Sequence, residues 1–407
     1  MSVWDEVVGQ LDVVAILTDA ARSAAEQIDS SRLDSSRLQR GAGDSPPGRG
    51  LTHAWLFTGP PGSGRSVAAQ AFAAALQCPD GGCGVCPSCH QVRVGTHADV
   101  RLVVPEGLSI PVAAMRELVL RGARSPLGGH WQVILIEDAD RLTEAAANAL
   151  LKAIEEPPER CVWLLCAPST HADDVPVTIR SRCRVVALRT PHAGAIADVL
   201  IHRDKVDSAM AQWAARAAQG HVGRARRLAR DEEARSRRRT VLALPRSLTG
   251  LGRCYDAAEL LIEAVEAEAL ALTEPLDAAE TEALKQALGA GGTGKGAAAA
   301  TRGSAGQLKE LDRAQRSRRT RAQRDALDRA LVDLAAFYRD VLVAGLGARV
   351  GAVHSDIPDV TALAAHAWTP ESILRRIEAV LACRAAIEVN VKPRIAVEAM
   401  MIALRAG

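Results

Sequence analysis

Aromatic side chains are scarce: three Phe, two Tyr and six Trp among 407 residues. So few rings argue against a base-stacking platform for single-stranded nucleic acid. An excess of either charge is also missing, since 50 Lys and Arg stand against 48 Asp and Glu, leaving +2. That excludes a uniformly basic coat for nucleic acid, though not a local basic patch. No apolar run approaches the roughly 18 residues that a membrane helix requires, and the opening MSVWDEVVGQ lacks the basic start of a secretory leader. The chain therefore reads as cytoplasmic, with no membrane partner. What is present can fold: 48% of the residues are hydrophobic and 24% charged. Alanine dominates and favours helix. At about 150 residues per domain, the length predicts two or three domains.

Apolar spacing at Val13, Ile16, Leu17 and Ala20 predicts a first helix. From about residue 22 the pattern fails. A tandem DSSRL (29–33, 34–38) runs into GAGDSPPGRG, so 28–50 reads as a mobile insertion. Short apolar strands are expected at 53–58, 99–104, 133–137, 161–168 and 184–188. Helices fall between them, through Leu76, at 111–123 and from Thr143 to the Pro157-Pro158 stop. Strands alternating with helices predict an α/β fold, with a parallel sheet over roughly 50–190 in a domain that spans 1–190. Residues 191–235 read as a small helical lid and 238–407 as an all-helical C-terminal domain with a flexible stretch at 289–306.

Gly59-Pro60-Pro61-Gly62-Ser63-Gly64-Arg65-Ser66 follows a strand and opens a helix, the context of a phosphate-binding loop. Its template places lysine before the final Ser or Thr. Here that position is Arg65, whose planar guanidinium is no substitute for a compact ammonium. GAGGTGKG (289–296) also matches the template around Lys295, but it follows no strand and lacks the hydroxyl residue, so it is rejected as a decoy. VILIEDAD (133–140) is a buried strand ending in carboxylates. A working ATPase would carry Asp and then Glu, whereas this chain has Glu137 and then Asp138. Two independent departures predict a catalytically dead nucleotide site.

Nine cysteines divide unequally. Cys161, Cys166, Cys183, Cys254 and Cys383 lie among apolar neighbours and read as small buried hydrophobes. Cys78, Cys83, Cys86 and Cys89 fall within twelve residues, and CGVCPSC overlaps two C-x2-C knuckles. In a reducing compartment four clustered thiols predict a closed, structural zinc site. Cys78 is the weakest ligand because its spacer is unusual, and His90 is the substitute. Arg182, in Ser181-Arg182-Cys183, would by default form a surface salt bridge.

The ordered set VVGQ (7–10), HAWLFTGPPGSGRS (53–66), CGVCPSC (83–89), THADV (96–100), VILIEDADRLTEAAANALLKAIEEPP (133–158) and TIRSRC (178–183) resembles the bacterial clamp-loader AAA+ family, and within it the delta-prime branch of DNA polymerase III. The resemblance is strong over 1–230. Beyond 238 only NVKPRIAVEAMMIAL (390–404) looks like the family's helical collar. It implies a stator within a hetero-pentamer that includes gamma/tau motor and delta subunits and loads a sliding clamp onto primed DNA. ATP and Mg²⁺ would act at neighbouring subunits, this chain having no intrinsic catalysis of its own, and Arg182 would be lent in trans to a neighbour's ATP. Three other readings compete: a gamma/tau-like motor, a free-standing AAA+ ATPase, and a zinc-ribbon nucleic-acid binder using the basic runs 224–230 and 236–239. Those runs read by default as solvated helix faces.

Overall fold

The computed structural model describes residues 2–35, 51–105, 107–128, 130–288 and 297–407, and within them the side chains outside 30–35 and 297–305. Two compact units emerge. The first holds the chain through Ala211 plus Gly220–Ala225, and the second holds Gln212–Gln219 and Arg226–Gly407.

The first unit runs α1 (Leu11–Ser35), β1 (Ala54–Thr58), α2 (Arg65–Gln77), α3 (Pro87–Arg93), β2 (Val100–Val103), α4 (Val112–Gly122), β3 (Gln132–Ile136), α5 (Glu144–Glu155), β4 (Cys161–Ala167), α6 (Val177–Arg180), β5 (Arg184–Ala187) and α7 (Ala193–His202). All strand pairs are parallel, in the order β2-β3-β4-β1-β5. Every residue of β1, β3 and β4 is buried, as expected when helices cover both faces of a parallel sheet. Successive side chains alternate between those faces. Trp55, Phe57, Val133, Leu135, Val162 and Leu164 pack with α1 and α2. Leu56, Ile134, Ile136, Trp163 and Leu165 pack with α4 and α5. The result is a three-layered α/β core. Thr143 caps α5 by accepting the Ala146 amide at 3.3 Å, and Pro157-Pro158 follow its end.

Helices α8 (Ser208–Ala217) and α9 (Val222–Arg230) lie where the chain passes between units. The second unit then consists of α10 (Glu232–Ser247), α11 (Leu251–Ala287), α12 (Ala297–Gly345), α13 (Pro358–Ala367), α14 (Pro370–Glu388) and α15 (Pro393–Ala406). Its core joins Leu331, Leu334, Phe337, Tyr338 and Val341 of α12 to Val380, Val397, Met400 and Met401. Pro358, Pro370 and Pro393 each open a helix, where the missing N–H is harmless.

Two local readings need correction. Helix α1 continues to Ser35, through the first residues of the expected insertion, and buries Ala20, Ala21, Ala24 and Ile28. Its buried stripe is built mostly of alanine, which carries little hydropathy signal yet packs closely. Residues 36–50, the rest of that segment, lie outside the described residues. So does GAGGTGKG, while α12 already begins at Ala297, within the stretch expected to be flexible. An alanine run there favours helix over the glycine-rich reading. Among the described residues, no helix is long and apolar enough to cross a membrane.

Candidate functional site

The phosphate-loop segment leaves β1 and enters α2 with Gly59, Gly62 and Gly64 at φ of 156°, 87° and 90°. A side chain at Gly62 would also collide with His221, whose Cα and Cβ would stand 2.8 Å from the added carbon. Glycine is thus required there twice, for conformation and for space. The Ser63 amide donates to Pro60 O at 3.0 Å and the Ala68 amide to Gly64 O at 2.8 Å, closing the turn into the helix. Buried Gln10, from VVGQ, ties the loop down: its amide nitrogen donates to Ser63 O and Arg189 O, and its oxygen accepts from the Arg189 amide.

The lysine position is where the site departs from an ATPase. Arg65 extends toward β3, and its Nη2 lies 3.8 Å from Asp138 Oδ1, with both side chains largely buried. Its Nη1 is buried without a hydrogen-bond partner. Asp138 sits in the left-handed region at φ 50°, and Arg141 approaches its other oxygen at 3.8 Å. Glu137 still follows the strand register, its amide donating to Val103 O at 2.9 Å. Between the ends of β1 and β3 lies Cys166 of β4, paired with Phe57; burial holds its thiol far above the ordinary range. Burial, and then the charge of Asp138, likewise raise the pKa of Asp140. The cation at the lysine position and the second carboxylate after β3 therefore face each other.

The cysteine reading is sharpened by geometry. Ligand atoms of Cys78, Cys83, Cys86 and Cys89 all lie within 4.8 Å of one another. Cys78 Sγ stands 3.6 Å from Cys83 Sγ and 3.7 Å from Cys86 Sγ, against about 3.8 Å for thiolates on one tetrahedral zinc with 2.3 Å bonds. Amides of Cys83, Cys86 and Cys89 donate to the sulfurs of Cys78, Cys83 and Cys86 at 3.3–3.4 Å, the arrangement that favours thiolate. Backbone donation from Val85 and Cys86 brings the Cys83 thiol down to about 7, while burial raises Cys86 and Cys89. The four sulfurs fit a zinc ion and leave no open coordination position. His90 is exposed and accepts from Arg93 at 3.1 Å, away from the cluster. Cys78 and Cys89 also belong to the sheet's core, and Val3 and Trp4 hydrogen-bond Gly82 O and Gly81 O, so the knuckle is stitched to the N-terminus.

Arg182 follows α6 and pairs with Glu155 at 2.6 Å, its side chain 39% exposed; it also donates to Thr178 O. The basic runs are largely engaged within their own unit. Arg227 and Arg237 share Glu268 at 2.6 and 2.8 Å, and Arg235 and Arg239 share Glu232. Arg238, read as part of a solvated face, is instead buried against Asp356, His354 and Trp213. The Gln10 tie, Cys166 and the approach of His221 carried no motif signal of their own.

Residues 48–192 match the family described as DNA polymerase III, delta subunit. The chain is 35% identical over 199 residues to DNA polymerase III subunit delta' of Bacillus subtilis, covering 48% of this chain and 59% of that one. It is 34% identical over 138 residues to the tau subunit of the same organism, covering 33% of this chain and 24% of tau. A gamma subunit-related protein from Thermotoga maritima superposes at a TM-score of 0.40 with 15% identity over 86% of this chain and 93% of its own, too loosely to carry an argument. The chain thus spans somewhat over half the length of its delta' relative. Over its α/β unit, this chain is similar to the clamp-loader subunits of bacterial DNA polymerase III.

Proposed function

We propose that the chain is a delta-prime-type stator of a DNA polymerase III clamp loader. It would join gamma/tau motor and delta subunits in a hetero-pentamer that places a sliding clamp on primed DNA in the cytoplasm. The observation that carries this reading is the Arg65–Asp138 pair inside an otherwise intact loop. A motor needs a free cation for the outer phosphates and a free carboxylate to orient the attacking water. Here each neutralises the other, so the chain serves by position rather than by turnover. Zinc on Cys78, Cys83, Cys86 and Cys89 would fix the knuckle beside α2, a structural role suited to a closed thiolate set.

Arg182 is the residue through which such a stator would act on ATP and Mg²⁺ bound by an adjacent motor. Its bridge to Glu155 is half-exposed, and pairs of that kind are worth about 0–1 kcal/mol, so the guanidinium can change partners cheaply. An always-ionised fork suits the charge that develops on a transferred phosphoryl, and a finger contributes about 10³–10⁵ in rate at the site that it serves. The test is reconstitution of the complete loader with Arg182→Ala in this chain. The variant complex should assemble but load clamps slowly and lose part of its DNA-stimulated ATPase. Full rates in the assembled variant would remove Arg182 from this role, and no assembly with motor and delta subunits by the unaltered chain would remove the stator reading itself.

A further inference from the structure

Helix α12 carries a basic stripe that the rest of the second unit does not neutralise. Residues 306–324 hold seven Lys and Arg against Glu310 and Asp312 alone. The inward face is matched by α11: Arg318 pairs with Asp277 at 2.7 Å and Glu280 at 2.9 Å, and Gln315 donates to Asp277 O and Thr281 Oγ1. The opposite face is different. Lys309, Arg313, Arg316, Thr320 and Arg324 recur at spacings of four, three, four and four, so they line one side of the helix about 22 Å long. The first four are exposed. Arg316 has only an exposed helix-neighbour pair with Asp312, and Arg324 a neutral acceptor in Asn390.

From this surface we infer that α12 binds the phosphate backbone of duplex DNA directly, without reading sequence. Four of the stripe's five positions present a cation to a polyanion that carries a charge about every 1.7 Å of its axis. No aromatic ring lies on the stripe, so base stacking is not offered. Among the described residues from 306 to 345, no large apolar side chain is strongly exposed, so the stripe lacks the face that an interfacial membrane helix buries. The arginine runs of α9 and α10, by contrast, are largely tied up in ion pairs with Asp231, Glu232 and Glu268. The inference does not depend on the stator reading, because it concerns the chain alone.

The experiment measures binding of the full-length chain, without other subunits, to a labelled duplex of arbitrary sequence across a salt series. A Lys309→Gln, Arg313→Gln, Arg316→Gln triple variant keeps exposed, helix-favouring residues, and circular dichroism melting checks its fold. Three lost phosphate contacts should flatten the slope of log affinity against log salt by about 2–3 and weaken binding roughly 10- to 100-fold at low salt. An Arg253→Gln, Arg349→Gln, Arg394→Gln variant removes the same net charge from exposed sites elsewhere and should bind as the unaltered chain does. An unchanged slope in the first variant, or an equal loss in the second, overturns the proposal. So would vesicles rich in phosphatidylserine binding as tightly through the same three residues.

Discussion

Replacing Arg238 by Met should destabilise the second unit more than almost any other single change to a charged residue. The side chain is 3% exposed. One arm donates to Asp356 at 2.8 Å and the other to His354 Nδ1 at 2.7 Å, while the guanidinium lies over Trp213 with Cζ 5.4 Å from the ring centre. Because Arg238 donates to Nδ1, His354 must be neutral, with its proton on Nε2, which donates to Asp333 O at 3.0 Å. The His354 amide in turn donates to Asp340 at 2.8 Å, so one arginine organises α10, α12 and the segment before α13. Methionine fills similar space and can keep the contact with Trp213, but it takes the charged partner from Asp356 and leaves a buried ring nitrogen without a donor. Removing one partner of a buried pair costs about 3–5 kcal/mol. Asp356 is 23% exposed and can recruit water, which places the expected loss near the lower end, about 3 kcal/mol. Urea unfolding followed by near-ultraviolet tryptophan signals reads this directly, the midpoint falling by about 1–2 M for a typical slope. A loss below about 1 kcal/mol would refute the argument that the arginine is structural, and would return 236–239 to the solvated-face reading.

Acid should weaken the same unit. Burial and then the charge of Arg238 lower the His354 pKa, so as pH falls through about 6.5 the unfolded chain takes up the proton first; stability is complete above that pH and declines below it by at most about 1.4 kcal/mol per unit, a slope that His354→Gln should reduce. Metal analysis should find one zinc per chain. Cys86→Ser or a chelator should speed hydrogen exchange in 78–95 and in residues 2–7, which are stitched to that loop, and unaltered exchange would dismiss the metal centre. Arg65→Lys should not by itself create ATP turnover, because Glu137 and Asp138 remain in the wrong order; motor-like hydrolysis by that variant would show that the lysine position alone disables the site. Tyr338→Phe removes a buried hydroxyl that has no hydrogen-bond partner, so melting should show stability unchanged or raised by about 1 kcal/mol.

The sequence by itself determined the strands of the α/β unit to within about one residue. Its strands are short, fully buried apolar runs, and its boundaries are marked by local chemistry: glycines where φ is positive, Thr143 as a cap, Pro157-Pro158 as a stop. The cysteine spacing foretold a four-sulfur cluster, because its four residues lie within twelve positions of one another. What the tertiary structure decided lay between distant segments or in residues with weak hydropathy. Cys78 rather than His90 completes the sulfur cluster because the chain after α2 folds back at Gly81-Gly82, which no spacing rule specifies. Helix α1 reaches Ser35 because an alanine stripe finds a sheet to pack on, although it looks nearly neutral in isolation. The pairing of Arg65 with Asp138 joins residues 73 positions apart, and that of Arg238 with His354 and Asp356 joins well over a hundred. A charged side chain looks the same in sequence whether it faces water or a buried partner. Only the fold supplies the low-dielectric surroundings that make Arg238 structural while leaving the α12 stripe open to solvent.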